Sequence, residues 1–270
     1  MTTAQAEFGV IGGSGFYSLL ENADNITVST PYGDPSGEVT IATVAGRRVA
    51  FLPRHGADHR FPPHRVPYRA NLYALRALGV RQVVTASAVG SLAAELGPGQ
   101  LVLPDQLIDR TWGRPHTYSD ADNGVAHLSF ADPYCSIGRA AAVRAAAASG
   151  QSLVETGTLV VVNGPRFSSR AESLEYQRSA TIIGMTAMPE AALARELALC
   201  FTSLCLVTDH DAGVEAGQGV THAEVLEIFA QNLPKMRELL LATLAELPAE
   251  QGDCGCGQVL DGISVPYPLP

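Results

Sequence analysis

Short runs of apolar, largely β-branched residues alternate along this chain with stretches whose apolar positions recur at helical spacing. The runs predict strands near residues 8–12, 38–44, 48–52, 82–88, 100–103, 157–163, 181–185 and 201–208. Ala45-Gly46, between the second and third, predicts a hairpin turn. Helices are predicted near 67–78, 137–149, 169–179, 189–199 and 222–246. In the last of these Val225, Ile228, Phe229, Leu233, Met236, Leu240 and Leu244 recur at helical spacing, and Pro234 predicts a kink. Ser169 with Glu172, and Thr221 with Glu224, stand at capping-box spacing and mark two helix starts. Strands alternating with helices predict an α/β fold, a single domain with a mixed central β-sheet flanked by helices. No linker divides residues 1–250, and 251–270 read as a tail. The polar, turn-rich stretch from Trp112 to Asn123 predicts a long surface loop.

The predicted strand ends carry the candidate chemistry. Thr158–Val162 leads into Asn163-Gly164-Pro165-Arg166-Phe167-Ser168, where Gly164-Pro165 breaks the ladder. Between a strand end and a helix start is where α/β proteins place ligand-binding groups. Phe167, a flat aromatic with the Ser168 hydroxyl beside it, suits a planar heterocycle. Other strand ends read Val10-Ile11-Gly12-Gly13-Ser14-Gly15-Phe16, Leu52-Pro53-Arg54-His55-Gly56, Ile183-Gly184-Met185-Thr186 and Leu206-Val207-Thr208-Asp209-His210-Asp211. The glycines after the first strand let backbone N–H groups approach an anion, although the string is neither the full dinucleotide fingerprint nor a P-loop. Arg54 adds a guanidinium, which grips phosphate through two parallel hydrogen bonds, and His55 adds a further donor. Ser87, Ala88 and Thr186 can supply hydroxyls or backbone N–H groups from other strand ends. Asp209 and Asp211 accept hydrogen bonds when ionised, and a protonated one can give its proton to a leaving group.

A formal net charge of −9 argues against a nucleic-acid partner. Positive charge is nevertheless concentrated between Pro53 and Arg69, in Arg54, Arg60, Arg65 and Arg69 with His55, His59 and His64. That concentration suggests a pocket for a small anion. No apolar run reaches membrane-spanning length, and the first residues lack a signal-peptide pattern, so a cytoplasmic protein is expected. Cys200 and Cys205 lie in an apolar segment and read as small buried hydrophobes. Cys254-Gly255-Cys256 could ligate metal or form a strained disulfide, but a metal site needs further ligands and none lies nearby in sequence. No metal and no cofactor is expected.

Taken in order, from about Phe8 to the long helix ending near Leu247, these strings resemble the trimeric purine nucleoside phosphorylase family, most closely its 5′-methylthioadenosine phosphorylase branch. The resemblance implies inorganic phosphate as co-substrate, held by Ser14, Arg54, His55, Ser87, Ala88 and Thr186. It implies Asp209 and His55 as catalytic residues, and a nucleoside contacted by Phe167, Ser168, Met185, Asp209, Asp211, His222 and Val225. It further implies a homotrimer, or a dimer of trimers, in which His127 reaches the neighbouring subunit's 5′ pocket. Ser14 and Ser87 stand where relatives commonly carry threonine, and a C-terminal CxC pair in some heat-stable relatives is linked to redox stability. In this family the pattern Thr-Asp-x-Asp, here Thr208 to Asp211, goes with 6-aminopurines, and asparagine in the first aspartate position goes with 6-oxopurines. His222 departs from the apolar residue typical of methylthioadenosine phosphorylases and matches a histidine that bonds the ribose 5′-hydroxyl in 6-oxopurine enzymes. The expected activity is phosphorolysis of 5′-methylthioadenosine and/or adenosine to adenine and a ribose 1-phosphate. The alternatives are a 6-oxopurine nucleoside phosphorylase, a nucleoside hydrolase and a non-catalytic nucleoside-binding protein.

Overall fold

The first strand, β1 (Phe8–Gly12), is buried along its whole length and divides its side chains between two layers. Phe8 and Val10 pack with alanines of one helix, α2 (Ser136–Ser149), and leucines of another, α5 (His222–Glu246). Ile11 packs on the opposite face with residues of α1 (Tyr68–Ala77) and α4 (Ala187–Glu196). A strand covered on both faces in this way belongs to the middle of a sheet. Gly9 faces α1, where an added Cβ would lie 3.1 Å from both Leu75 and Val80. The computed structural model describes residues 5–13, 23–122, 124–214 and 221–270, apart from the His222 side chain.

The remaining strands are β2 (Asp24–Ile26), β3 (Val39–Val44), β4 (Arg47–Pro53), β5 (Gln82–Ser91), β6 (Leu101–Val102), β7 (Gln106–Arg110), β8 (Leu153–Val154), β9 (Thr158–Val162), β10 (Ile182–Gly184) and β11 (Cys200–His210). With α3 (Arg170–Tyr176) they build one mixed sheet flanked by helices, as expected. Its main path runs β2-β3-β4-β1-β5-β10-β9-β7. β11 pairs with β5 and leads off this path through β6 to β8. β1 is parallel to β4 and β5, and β11 is parallel to β5, so four strands deliver their C-terminal ends to one edge.

The expected hairpin joins β3 to β4, with Ala45 at φ 50° and Gly46 at φ 78°, the pair of positive values a two-residue turn of this hand needs. Both expected capping boxes form, on α3 and on α5. α5 continues through Pro234. β2, β7 and β8 were not foreseen; each is short and half-buried or exposed, so its sequence carries little apolar signal. β5 and β11 run past their predicted ends, which adds Val89–Ser91 and Asp209–His210 to the sheet.

The expectation of a surface loop after Trp112 is only half right. Trp112 is exposed, but Arg114 and Tyr118 are buried. Asn123 lies outside the described residues. Glu196 holds this stretch, its carboxylate accepting from Thr117 Oγ1 and Tyr118 N, both at 2.6 Å. The backbone carbonyl of Glu196 accepts from Tyr267 Oη at 2.7 Å, and the Tyr267 ring lies 5.6 Å from that of Tyr118. The tail is therefore packed, with Cys256 and Tyr267 buried. Among the described residues no helix is long and apolar enough to cross a membrane.

Candidate active site

The strand ends open into a cavity of about 470 Å³. β1 contributes Gly13 just past its end, β4 contributes Arg54 and His55, β5 contributes Ala86 to Gly90, and β11 contributes Thr208, Asp209 and Asp211. The β10 end adds Ile183 to Thr186, and the segment after β9 adds Pro165, Phe167 and Ser168. Val225, Leu226 and Phe229, from the first turns of α5, form an apolar wall.

Arg54 is 2% exposed, and a buried guanidinium needs compensation. Glu190 on α4 supplies it, accepting from Nε at 2.6 Å and Nη2 at 3.2 Å. Nη1 also donates to the Ala86 carbonyl at 3.0 Å, which ties Arg54 to β5. Burial pushes the Glu190 carboxyl up, and the guanidinium opposes that shift. This ion pair was missed in the sequence. The available signal was a lone carboxylate in an otherwise apolar run, Ala187 to Ala194.

His55 Nδ1 lies 2.8 Å from the Phe61 carbonyl, and its ring stacks on His59 at 4.4 Å. Burial, reinforced by the Arg54 charge, pushes the imidazole down to about 4, so the ring is neutral at neutral pH. A neutral imidazole that donates from Nδ1 to a carbonyl presents Nε2 as an acceptor. This corrects the expectation that His55 adds a donor: it can receive a hydrogen bond from a protonated oxygen. Thr186 caps the start of α4 without a side-chain capping bond, and Ser87 is half-buried on β5.

On the other wall the β5–β11 ladder shifts register between Val207 and Asp209. Such bulges re-aim side chains beside functional sites. Asp209 accepts from Thr208 Oγ1 at 2.7 Å. Burial is the main cause that pushes its carboxyl up to about 6. Asp211 is buried and accepts from Ser173 Oγ on α3, while its backbone N–H donates to the Ser91 carbonyl at 2.8 Å. Burial also raises the Asp211 carboxyl. Gly90, opposite Asp209 in the ladder, makes this possible: an added Cβ would sit 3.0 Å from Asp209 Oδ2 and 3.0 Å from Ile183. Gly164 plays a similar part for Met185, whose sulfur lies 2.6 Å from where its Cβ would be.

The cavity thus gathers Arg54, His55, Ser87, Ala88, Phe167, Ser168, Met185, Thr186, Asp209, Asp211 and Val225. Ser14 and the side chain of His222 lie outside the described residues. His127 is exposed and does not line this chain's cavity. Of the Arg/His concentration after β4, Arg54, His55, His59 and Arg60 line the cavity. Arg69 instead pairs with Asp120.

Residues 7–245 match the phosphorylase superfamily. The chain belongs to that superfamily. It is 55% identical over 275 residues to a purine nucleoside phosphorylase of Streptomyces coelicolor, covering 98% of each chain. It is 49% identical to an S-methyl-5′-thioadenosine phosphorylase of Mycolicibacterium smegmatis, over 97% of this chain and 99% of the other. Among solved structures, methylthioadenosine phosphorylase from Schistosoma mansoni in complex with adenine superposes with a TM-score of 0.85 at 35% identity, covering 89% of this chain and 91% of that one. The expected family, fold class and enzyme class, a pentosyltransferase of the nucleoside phosphorylase kind, are all borne out.

Proposed function

We propose that this phosphorylase cleaves 6-aminopurine nucleosides, 5′-methylthioadenosine and adenosine, with inorganic phosphate. The products are adenine and the corresponding ribose 1-phosphate. The observation that carries this reading is that Asp209, with its raised proton affinity, shares one cavity with the Arg54–His55 wall. The names of the relatives at 49% and 35% identity support it.

Phosphate binds against Arg54, His55, Ser87, Ala88 and Thr186. The His55 Nε2 acceptor selects the phosphate oxygen that carries a proton. The base lies against Phe167 and Ser168, with Met185 under the ribose. The C1′–N9 bond breaks and its electron pair leaves with the purine. Protonated Asp209 gives its proton to N7, and a phosphate oxygen closes on C1′. The proton displaced from phosphate is released to solvent, and Asp209 is reprotonated from solvent, so the sum is balanced. Preorganised electrostatics and positioning supply most of the rate. The Asp209 carboxyl oxygen that carries no proton accepts from the 6-amino group, a contact that a 6-oxo group does not offer, and Asp211 stands beside it. The apolar wall of Val225, Leu226 and Phe229 receives a methylthio group. A homotrimer, with His127 serving the neighbouring site, completes the proposal.

The test is chromatographic assay of base release from methylthioadenosine, adenosine and inosine, with and without phosphate. Adenine release that requires phosphate, with inosine the poorest substrate, is the expected result. Turnover without phosphate would make the chain a hydrolase, and preference for inosine would overturn the base assignment.

A further inference from the structure

The other end of β11 holds a feature that phosphorolysis does not use. Cys200 is its first residue, and Cys135 is the N-cap of α2. Cys254 and Cys256 come from the tail, on either side of Gly255, whose φ of 75° turns the chain between them. The four sulfur atoms all lie within 4.8 Å of one another. Cys135, Cys200 and Cys256 are buried and Cys254 is half-buried.

We infer that these four cysteines form a structural zinc site of the tetrathiolate type. The spacing fits that geometry. A tetrahedron with metal–sulfur bonds of about 2.3 Å has edges of about 3.8 Å. Cys200 and Cys254 sulfurs are 3.5 Å apart, beyond the about 2.05 Å of a disulfide bond. The ligands stand on fixed supports: a helix cap, a strand start and a turn. The Cys135 backbone N–H donates to the Phe201 carbonyl at 2.8 Å, which locks α2 against β11. Gln251 holds the tail in register, its Nε2 donating to the carbonyls of Ala198 at 2.8 Å and Arg81 at 3.1 Å.

The surroundings also suit thiolates. Gly138 N lies 3.4 Å from Cys135 Sγ, and Gln251 Nε2 lies 3.6 Å from Cys200 Sγ, both as donors. Hydrogen bonds of this kind orient metal-bound sulfur and offset its charge. Four soft ligands with no carboxylate or water required select zinc over calcium or magnesium. The site is remote from the chemistry: ten residue steps of β11 separate Cys200 from His210, about 33 Å of extended strand. Zinc there fastens the tail to the sheet and leaves the cavity untouched.

The test is elemental analysis of the full chain, purified in reductant without chelator, followed by removal of metal and titration with cobalt(II). About one zinc per chain is expected, and cobalt should give the intense sulfur-to-metal charge-transfer and visible bands of a tetrahedral tetrathiolate. Cys254→Ser with Cys256→Ser should lose both signals and retain phosphorolysis. Cys205→Ser, which alters a cysteine outside the cluster, should retain both signals. Protein that carries no zinc and takes up no cobalt, with its four thiols free or paired as disulfides by mass spectrometry, overturns the proposal.

Discussion

The two walls of the cavity solve opposite electrostatic problems. On the wall of Arg54 and His55 the charge is fixed: the guanidinium is clasped by Glu190, and the imidazole stays neutral down to about pH 4. On the wall of Asp209 the charge is mobile, because burial brings the carboxyl up to about 6, where a proton can come and go near neutrality. An anion needs a site that does not reorganise as it binds. A leaving base needs one that changes protonation during the reaction. Both conditions are met on one sheet because each wall is built from different strand ends.

The largest effect that separates the walls is expected from Asp209→Asn. Losing the proton donor should lower kcat on adenosine by about 10²–10⁴-fold while leaving the phosphate KM nearly unchanged. The ratio of inosine to adenosine turnover should rise, and an unchanged ratio would remove Asp209 from the base site. The same variant should be more stable at neutral pH. The folded Asp209 pKa is raised above the unfolded value, so its ionised form opposes folding above about pH 6, and that burden lifts as the pH falls toward the unfolded value. Urea denaturation at several pH values reads this difference.

Glu190→Ala attacks the fixed wall. It leaves Arg54 buried without its counter-charge, so about 3–5 kcal/mol of stability should be lost and the phosphate KM should rise. Denaturant midpoints and phosphate titrations check the two parts separately. A phosphate KM that does not move would show that the pair serves the core alone.

Gly90→Ala tests the mobile wall by geometry rather than charge. The added methyl meets Asp209 and Ile183 at 3.0 Å, and overpacking of this kind costs about 1–3 kcal/mol. The loss should appear mainly in kcat, because the carboxylate is displaced while the phosphate groups stay in place. The smallest effect is expected on the acid side. His55 is depressed to about 4, so between the ordinary imidazole range and that value the unfolded chain binds a proton that the folded chain does not. Stability should therefore fall as pH is lowered through this window, and His55→Gln should flatten the slope in denaturation curves.

Most of the mobile wall was legible in the sequence, because Thr208 to Asp211 close a continuous apolar strand and Phe167-Ser168 follow a clear ladder break. The fixed wall was half legible. Arg54 and His55 stood out at a strand end, but their governing partners did not. Glu190 lies far along the chain, and the Phe61 carbonyl that sets the His55 tautomer is a backbone atom with no sequence signature. Gly90 was hidden for another reason: an isolated glycine inside a strand signals a bulge or close approach, but not which neighbour approaches. Arg114 and Tyr118 looked like surface residues because polar composition does not reveal internal partners. Arg114 reaches the carbonyls of Met188 and Asn163, and Tyr118 packs among other tyrosines. The cysteine cluster was least legible of all, since the nearest partners of Cys254 and Cys256 are distant in sequence and meet them only through the packing of α2 and β11.

Glu196 joins three lengths of chain, the end of α4, the stretch around Thr117 and Tyr118, and the segment bearing Tyr267. A cut by protease in either of the two outer lengths would therefore loosen the other as well. Fusion partners or labels inserted near Tyr267 should disturb the fold at Thr117.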